Sequence, residues 1–112
     1  MVPREIVLLV DGSYSMGLSV GGRTPMEIAR DFAARTARGM RFGDRLAIVL
    51  YGDRPRRYLE ATAESGLVEE AAKNLVPLPE GSDLSAALAF AAAQVLPRLR
   101  PGPKEVFVLT DF

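Results

Sequence analysis

Three stretches of the chain are apolar without interruption: Ile6 to Val10, Leu46 to Tyr51, and Val106 to Leu109. The first two, with no alternation, read as strands covered on both faces, which is the habit of a parallel sheet, and the third as a further strand. The strands are expected at residues 5–10, 45–51 and 105–110. Between the first two, Ile28, Ala29, Phe32, Ala33 and Ala37 recur at three- and four-residue spacing. They predict a helix to about Arg38 with an apolar stripe on one side and Arg30, Asp31, Arg35 and Arg38 toward water. Thr24-Pro25-Met26-Glu27 supplies an N-cap, a proline at the first helical position and a capping box, and Gly39 is a suitable stop.

After the second run, Gly52-Asp53-Arg54-Pro55 reads as a tight turn. So short a link forces the next strand, residues 56–61, to run antiparallel to the second, and its polarity puts it at an edge. A short helix follows over residues 65–75, with Leu67, Val68, Ala71, Ala72 and Leu75 inward, and Pro77 and Pro79 impose an irregular loop. A longer helix over residues 84–96 buries Leu84, Leu88, Ala91 and Val95; Pro97 and the Pro101-Gly102-Pro103 step end it. Met26, Met40 and Phe90 read as core.

Strands alternating with helices predict an α/β sheet of Rossmann-like type with helices on both faces. Right-handed crossovers give the strand order 3-2-1-4, with strand 3 antiparallel. The chain then winds away from strand 1 in both directions, and a crevice opens at the carboxyl ends of strands 1 and 4.

Composition narrows the chemistry for that crevice. With 112 residues and 48% hydrophobic content, one core and one domain spanning 1–112 are expected. Fourteen basic and fourteen acidic residues cancel, without the basic patch that nucleic-acid binding needs. Absence of Cys and His removes thiolate and imidazole chemistry, including the Ser-His-Asp mechanism and most zinc sites. The apolar start reaches Asp11 too soon for a signal peptide or membrane span, so a cytoplasmic, soluble protein is expected.

At the crevice the first strand runs into Asp11-Gly12-Ser13-Tyr14-Ser15. One carboxylate and two hydroxyls at alternate positions are hard oxygen donors, suited to Mg²⁺. Ser82, at the start of the last helix, and Asp111, at the tip of strand 4, are expected to face the same point. Together they offer two carboxylates and three hydroxyls from three distant segments. On the plainer reading, Ser82 or Asp83 simply caps the helix at Leu84, and Asp83 is assigned to that role. Arg54, Arg56 and Arg57 read as a solvated edge device. Tyr14 either packs on its loop or meets a partner.

The pieces Asp11-x-Ser13-x-Ser15, Gly81-Ser82-Asp83-Leu84 and Thr110-Asp111 resemble the metal-ion-dependent adhesion site (MIDAS) of von Willebrand factor A domains. The resemblance implies direct binding of Mg²⁺ or Mn²⁺ by Ser13, Ser15 and Ser82, with Asp11 and Asp111 acting mainly through water. It also implies a non-enzymatic module that takes an acidic residue of a protein partner. Three departures stand out. Ser82 occupies a position usually held by Thr, and Phe112 one where Gly is frequent, an ending similar to bacterial members associated with AAA-type ATPases. The family's domain continues with further strands and helices, so the expectation is either a fragment, incomplete at its C-terminus, or a chain whose apolar strand 4 edge is covered by a second copy. The alternative is a structural domain of the same fold with no working metal site.

Three rival chemistries fail on particular residues. Gly17 to Thr24 imitates a phosphate-binding loop but has Arg23 in place of lysine and begins seven residues after the strand. An EF-hand is excluded by Met16 and Gly22 at its glycine and glutamate positions. An aspartyl phosphotransferase lacks its second acid at Ser13, and Lys104 enters strand 4 from the wrong end.

Overall fold

Every residue of β1 (Glu5–Asp11) is buried, as a continuous aliphatic run at the centre of a parallel sheet requires. The computed structural model describes residues 2–19 and 21–111. β1 pairs in parallel with β2 (Arg45–Tyr51) on one side and with β4 (Lys104–Leu109) on the other. β3 (Pro55–Thr62) returns antiparallel along β2, with register irregularities near Ile48. The order is β3-β2-β1-β4, as the crossover rule predicted.

Alternation along the strands divides the core in two. Ile6, Leu8 and Val10, with Leu46, Ile48 and Leu50, meet α1 (Pro25–Arg38) and α2 (Ser65–Lys73). Val7, Leu9, Val49 and Tyr51 meet α3 (Leu84–Phe90) and the turns after it. Helices therefore cover both faces. The capping box at Thr24 and Glu27 forms as expected. α1 ends at Gly39 with φ −87°, so that glycine closes the helix without a left-handed conformation.

Three predicted core side chains point elsewhere. Ile28 is 52% exposed, and Leu67 and Leu88 are exposed to a similar degree. The buried line on α1 is Met26, Ala29, Ala33 and Ala37, and the three alanines let the helix lie close to the sheet. Ile28 stands about 100° round from Ala29 and lies with Phe32 beside the outer side of β4. Phe32 meets the Phe107 ring edge-on at 5.4 Å between centroids. Leu67 and Leu88 are likewise one residue off the lines that bury Val68 with Ala72 and Ala87 with Ala91.

The last helix also departs from expectation. It is α-helical only to Phe90, then widens to a π turn over Ala91–Val95 and tightens to a 3₁₀ turn over Leu96–Arg98. Pro97 has no N–H to give and crowds the preceding turn, so regular α geometry cannot pass through it. β4 starts at Lys104 and stops at Leu109, leaving Thr110 outside the ladder. Among the described residues no strand lies on the far side of β4. Two of the three arginines after β2 are anchored rather than merely solvated. Arg56 pairs with Glu80 at 3.0 Å, and Arg57 donates to the Gln94 carbonyl at 2.9 Å and stands 5.7 Å over the Phe90 ring; Arg54 is exposed. Among the described residues no helix is long and apolar enough to cross a membrane.

At the amino ends of the strands lies an ion cluster that the sequence reading missed. Glu5 is almost fully buried, and its carboxylate accepts from Arg45 and Arg100, the closest contacts being 2.5 and 2.7 Å, and from the Arg100 N–H at 3.2 Å. Asp44, also buried, accepts from the Arg4 N–H and guanidinium and from the Arg41 N–H at 2.8 to 2.9 Å. Arg4 further bridges to Glu105 at 3.0 Å. Burial by itself would raise the Glu5 carboxyl, but the hydrogen bonds from Arg45 and Arg100 outweigh it and hold the pKa at about 2 instead of 4.5. For Asp44 burial is again opposed, by the donors from Arg4 and Arg41, and the net shift is downward.

At the other end of β1 the chain turns at Gly12, whose N–H donates to the Tyr51 carbonyl at 2.7 Å. A Cβ there would lie 2.8 Å from Leu50 Cδ1 and 3.4 Å from the Tyr51 carbonyl oxygen. Gly12→Ala should therefore cost about 1–3 kcal/mol by overpacking, read as a lower urea midpoint. An unchanged midpoint would show that Leu50 yields freely.

Candidate metal centre

Asp11, the last residue of β1, is 2% exposed and in register with Tyr51 at the tip of β2. Its Oδ1 accepts the Ser13 N–H at 2.8 Å. Its Oδ2 accepts two hydroxyls, Ser82 Oγ at 3.1 Å and Thr110 Oγ1 at 2.6 Å. One buried carboxylate thus ties together three segments distant in the chain. Beyond Gly12 a single 3₁₀ turn, Tyr14–Gly17, folds the loop back on itself. The turn leaves Ser13 Oγ and Ser15 Oγ 3.2 Å apart.

Main-chain bonds set the position of Ser82. Leu78 N–H donates to the Gly12 carbonyl at 2.7 Å, Tyr14 N–H to the Glu80 carbonyl at 2.9 Å, and Asp83 N–H to the Gly52 carbonyl at 2.9 Å. The Glu80 carboxylate accepts the Asp53 N–H at 3.0 Å, and Asp53 Oδ1 accepts the Gly81 N–H at 3.0 Å. Asp83 caps α3 by accepting the Ala86 N–H at 2.9 Å, the role assigned to it from sequence. With the helix end satisfied by Asp83, the Ser82 hydroxyl is available to Asp11.

Of the five residues proposed from sequence, the structure brings Asp11, Ser13, Ser15 and Ser82 together through these contacts. Asp111 is exposed and lies at the margin, with Oδ1 3.4 Å from Thr110 Oγ1. The residue that reaches Asp11 from the β4 side is Thr110, which the sequence reading had placed in the strand. Parallel register pairs Val10 with Leu109, and one step further sets Thr110 beside Asp11. Tyr51 was missed too. Its buried phenol lies beside Thr110 and Ser82; burial first, and then the Asp11 and Asp111 carboxylates, raise its pKa above 10. It stays a neutral hydrogen-bonding group. Phe112, singled out as a departure from the family pattern, lies outside the described residues.

The donor set fits a hard dication. Among the described residues no three Asp, Glu, His or Cys side chains surround one point, so any cation here would depend on hydroxyl oxygens. The Ser82 and Thr110 hydroxyls give their protons to Asp11, which leaves their oxygen lone pairs free to accept. The Asp11 carboxylate accepts three protein hydrogen bonds in all, and so fixes the orientation of the first loop and of both hydroxyls.

The family profile described as von Willebrand factor type A domain matches residues 6–112. The chain belongs to that family. No curated protein sequence matches this A domain significantly, but solved structures do. One holds three N-terminal domains of the type V pili tip protein Mfa5 from Porphyromonas gingivalis, at TM-score 0.80 and 23% identity over 96% of this chain and 19% of that one. Another is an aerotolerance-related membrane protein from Bacteroides fragilis, at TM-score 0.80 and 20% identity over 93% and 52%. A third is proximal thread matrix protein 1 from the mussel byssus, solved with a zinc-occupied MIDAS motif, at TM-score 0.75 and 16% identity over 95% and 28%. At these identities the likeness is one of fold. The A domain described here spans between about a fifth and about half of each of these chains.

Proposed function

We propose that this A domain is a metal-dependent protein-interaction module that takes a carboxylate side chain of an acidic protein partner. Ser13, Ser15 and Ser82 would hold Mg²⁺ or Mn²⁺ through their hydroxyl oxygens, with Asp11 behind them and Asp111 at the margin supplying negative charge. When bound, such a cation offers a Lewis-acidic position to an incoming carboxylate. The observation that carries this reading is the shared Asp11 Oδ2, which gathers the Ser82 and Thr110 hydroxyls while Ser13 and Ser15 stand 3.2 Å apart in front. The chain's own contribution is positioning. Asp11 orients the hydroxyls, the 77–83 loop fixes Ser82, and Tyr51 fills the space behind. The reading is one of binding without reaction.

Calorimetric titration of Mg²⁺ and Mn²⁺ into the protein tests the reading. Binding heat should vanish in Ser13→Ala while the unfolding free energy from urea stays within about 0.5 kcal/mol of the parent, because among the described residues the hydrogen-bond contact of the Ser13 hydroxyl is with Ser15 alone. Absence of any heat from the parent would instead favour the structural alternative. For that alternative the specific observation is that Ser82 and Thr110 already have a partner in Asp11 without a cation.

A further inference from the structure

Beside the hydroxyl cluster lies an apolar hollow of about 310 Å³ lined by Tyr14, Gly17, Leu18, Pro77, Leu78 and Pro79. It carries no charged side chain, and its rim is unusually apolar for a surface, with Tyr14 64% exposed and Leu18 50%. Val76, 55% exposed, extends the patch along the chain from Pro77. Tyr14 stands in sequence between Ser13 and Ser15, so the hollow and the candidate cation site share one loop.

The hollow is also stiff. Pro77 and Pro79 have fixed φ, and the two walls are joined by the bonds from Leu78 N–H to Gly12 and from Tyr14 N–H to Glu80. A Cβ on Gly17 would lie 3.0 Å from Pro77 Cγ, so the walls meet in close contact. A site already in shape loses little ordering free energy when filled. Aromatic side chains with one exposed face are characteristic of contact surfaces.

We infer that this hollow is a specificity pocket for a residue two positions from the partner's carboxylate, and that the partner presents an extended segment in which a large apolar residue stands two positions from an acidic one. The inference rests on the metal-dependent reading above. Charge divides the surface into two parts: the hydroxyl cluster with its carboxylates suits a cation-bridged anion, and the uncharged hollow suits a side chain that gains from leaving water. Successive side chains of an extended segment point to opposite faces, and those two positions apart share a face about 6.6 Å from each other, so the residue two positions from the acidic one is directed to the loop that holds Tyr14.

The test uses two blocked peptides, one with Leu-Gly-Asp-Gly-Leu at its centre and one with Ser-Gly-Asp-Gly-Ser, titrated into the full chain with saturating Mg²⁺. Burying one leucine side chain predicts at least about tenfold tighter binding of the first. Leu18→Ser should abolish that preference and leave Mg²⁺ binding without peptide unchanged. Mg²⁺ binding with equal peptide affinities, or with neither peptide binding at millimolar concentration, overturns the pocket and leaves the metal site standing. A peptide-free titration with no Mg²⁺ binding overturns the metal reading and the pocket with it. Light scattering that shows a dimer lost in Leu18→Ser would assign the hollow to a second copy and overturn the inference.

Discussion

Glu5→Gln is expected to lower the folding stability at pH 7 by about 3–5 kcal/mol, the range for breaking a buried ion pair. In a domain of this size that corresponds to a fall in Tm of roughly 12 °C or more. The reason is the placement of the carboxylate, which begins the central strand in full burial and accepts from two guanidinium groups and a main-chain N–H. Glutamine keeps the shape but has one acceptor oxygen and no charge, so Arg45 and Arg100 lose the anion that holds them to the ends of β1 and β2.

The pH dependence carries its own sign. A carboxyl held at about 2 instead of 4.5 adds stability that is complete above about pH 4.5 and is lost as pH falls through 2. The gap between parent and Glu5→Gln should therefore be constant from pH 7 to about 5 and close progressively below pH 4.5. Urea unfolding at a series of pH values measures it. Equal midpoints at pH 7, or a gap that persists undiminished to pH 2, would show that the cluster contributes little.

The second large effect is expected at Asp11, where two variants separate structure from charge. Asp11→Ala removes the acceptor for the Ser13 N–H and for the Ser82 and Thr110 hydroxyls, and should cost about 2–4 kcal/mol, since hydrogen bonds to a charged group are worth about 1.5–3 kcal/mol each and the two hydroxyls can recover part through water. Asp11→Asn is nearly isosteric. Its amide can donate to hydroxyls that rotate to accept, so its cost should be about 1 kcal/mol. Both variants lack the negative charge, and each should weaken Mg²⁺ binding by about 10–100-fold. If Asp11→Asn binds Mg²⁺ as the parent does, the carboxylate is a strut for the loops and not part of a cation site.

How much of this was readable beforehand depended on the range of the interaction. The capping box of α1, the turn after β2 and the cap of α3 by Asp83 are contacts over three residues, and each was visible as a local string. The buried stripes were only approximately visible. Ile28, Leu67 and Leu88 belong to apolar patterns one residue wider than the faces in contact, because a periodic pattern shows that a side chain is apolar but not whether anything lies opposite it. For Ile28, what stands opposite is the outer side of β4. Glu5 and Asp44 were passed over because a charged residue at a strand end normally meets water; their partners Arg100 and Arg4 lie 95 and 40 residues away.

The amino-acid sequence by itself determined the strand order, because short links and right-handed crossovers leave one arrangement for these elements, and it determined that hard oxygen donors gather at the carboxyl ends of the central strands. Only the tertiary structure decided which oxygens meet. The parallel register of β1 and β4 sets Thr110 against Asp11 and leaves Asp111 at the margin, and the bonds between the 77–83 loop and the first loop bring Ser82 in. Register and loop contact are sums of many weak long-range terms, and no short string of residues encodes them.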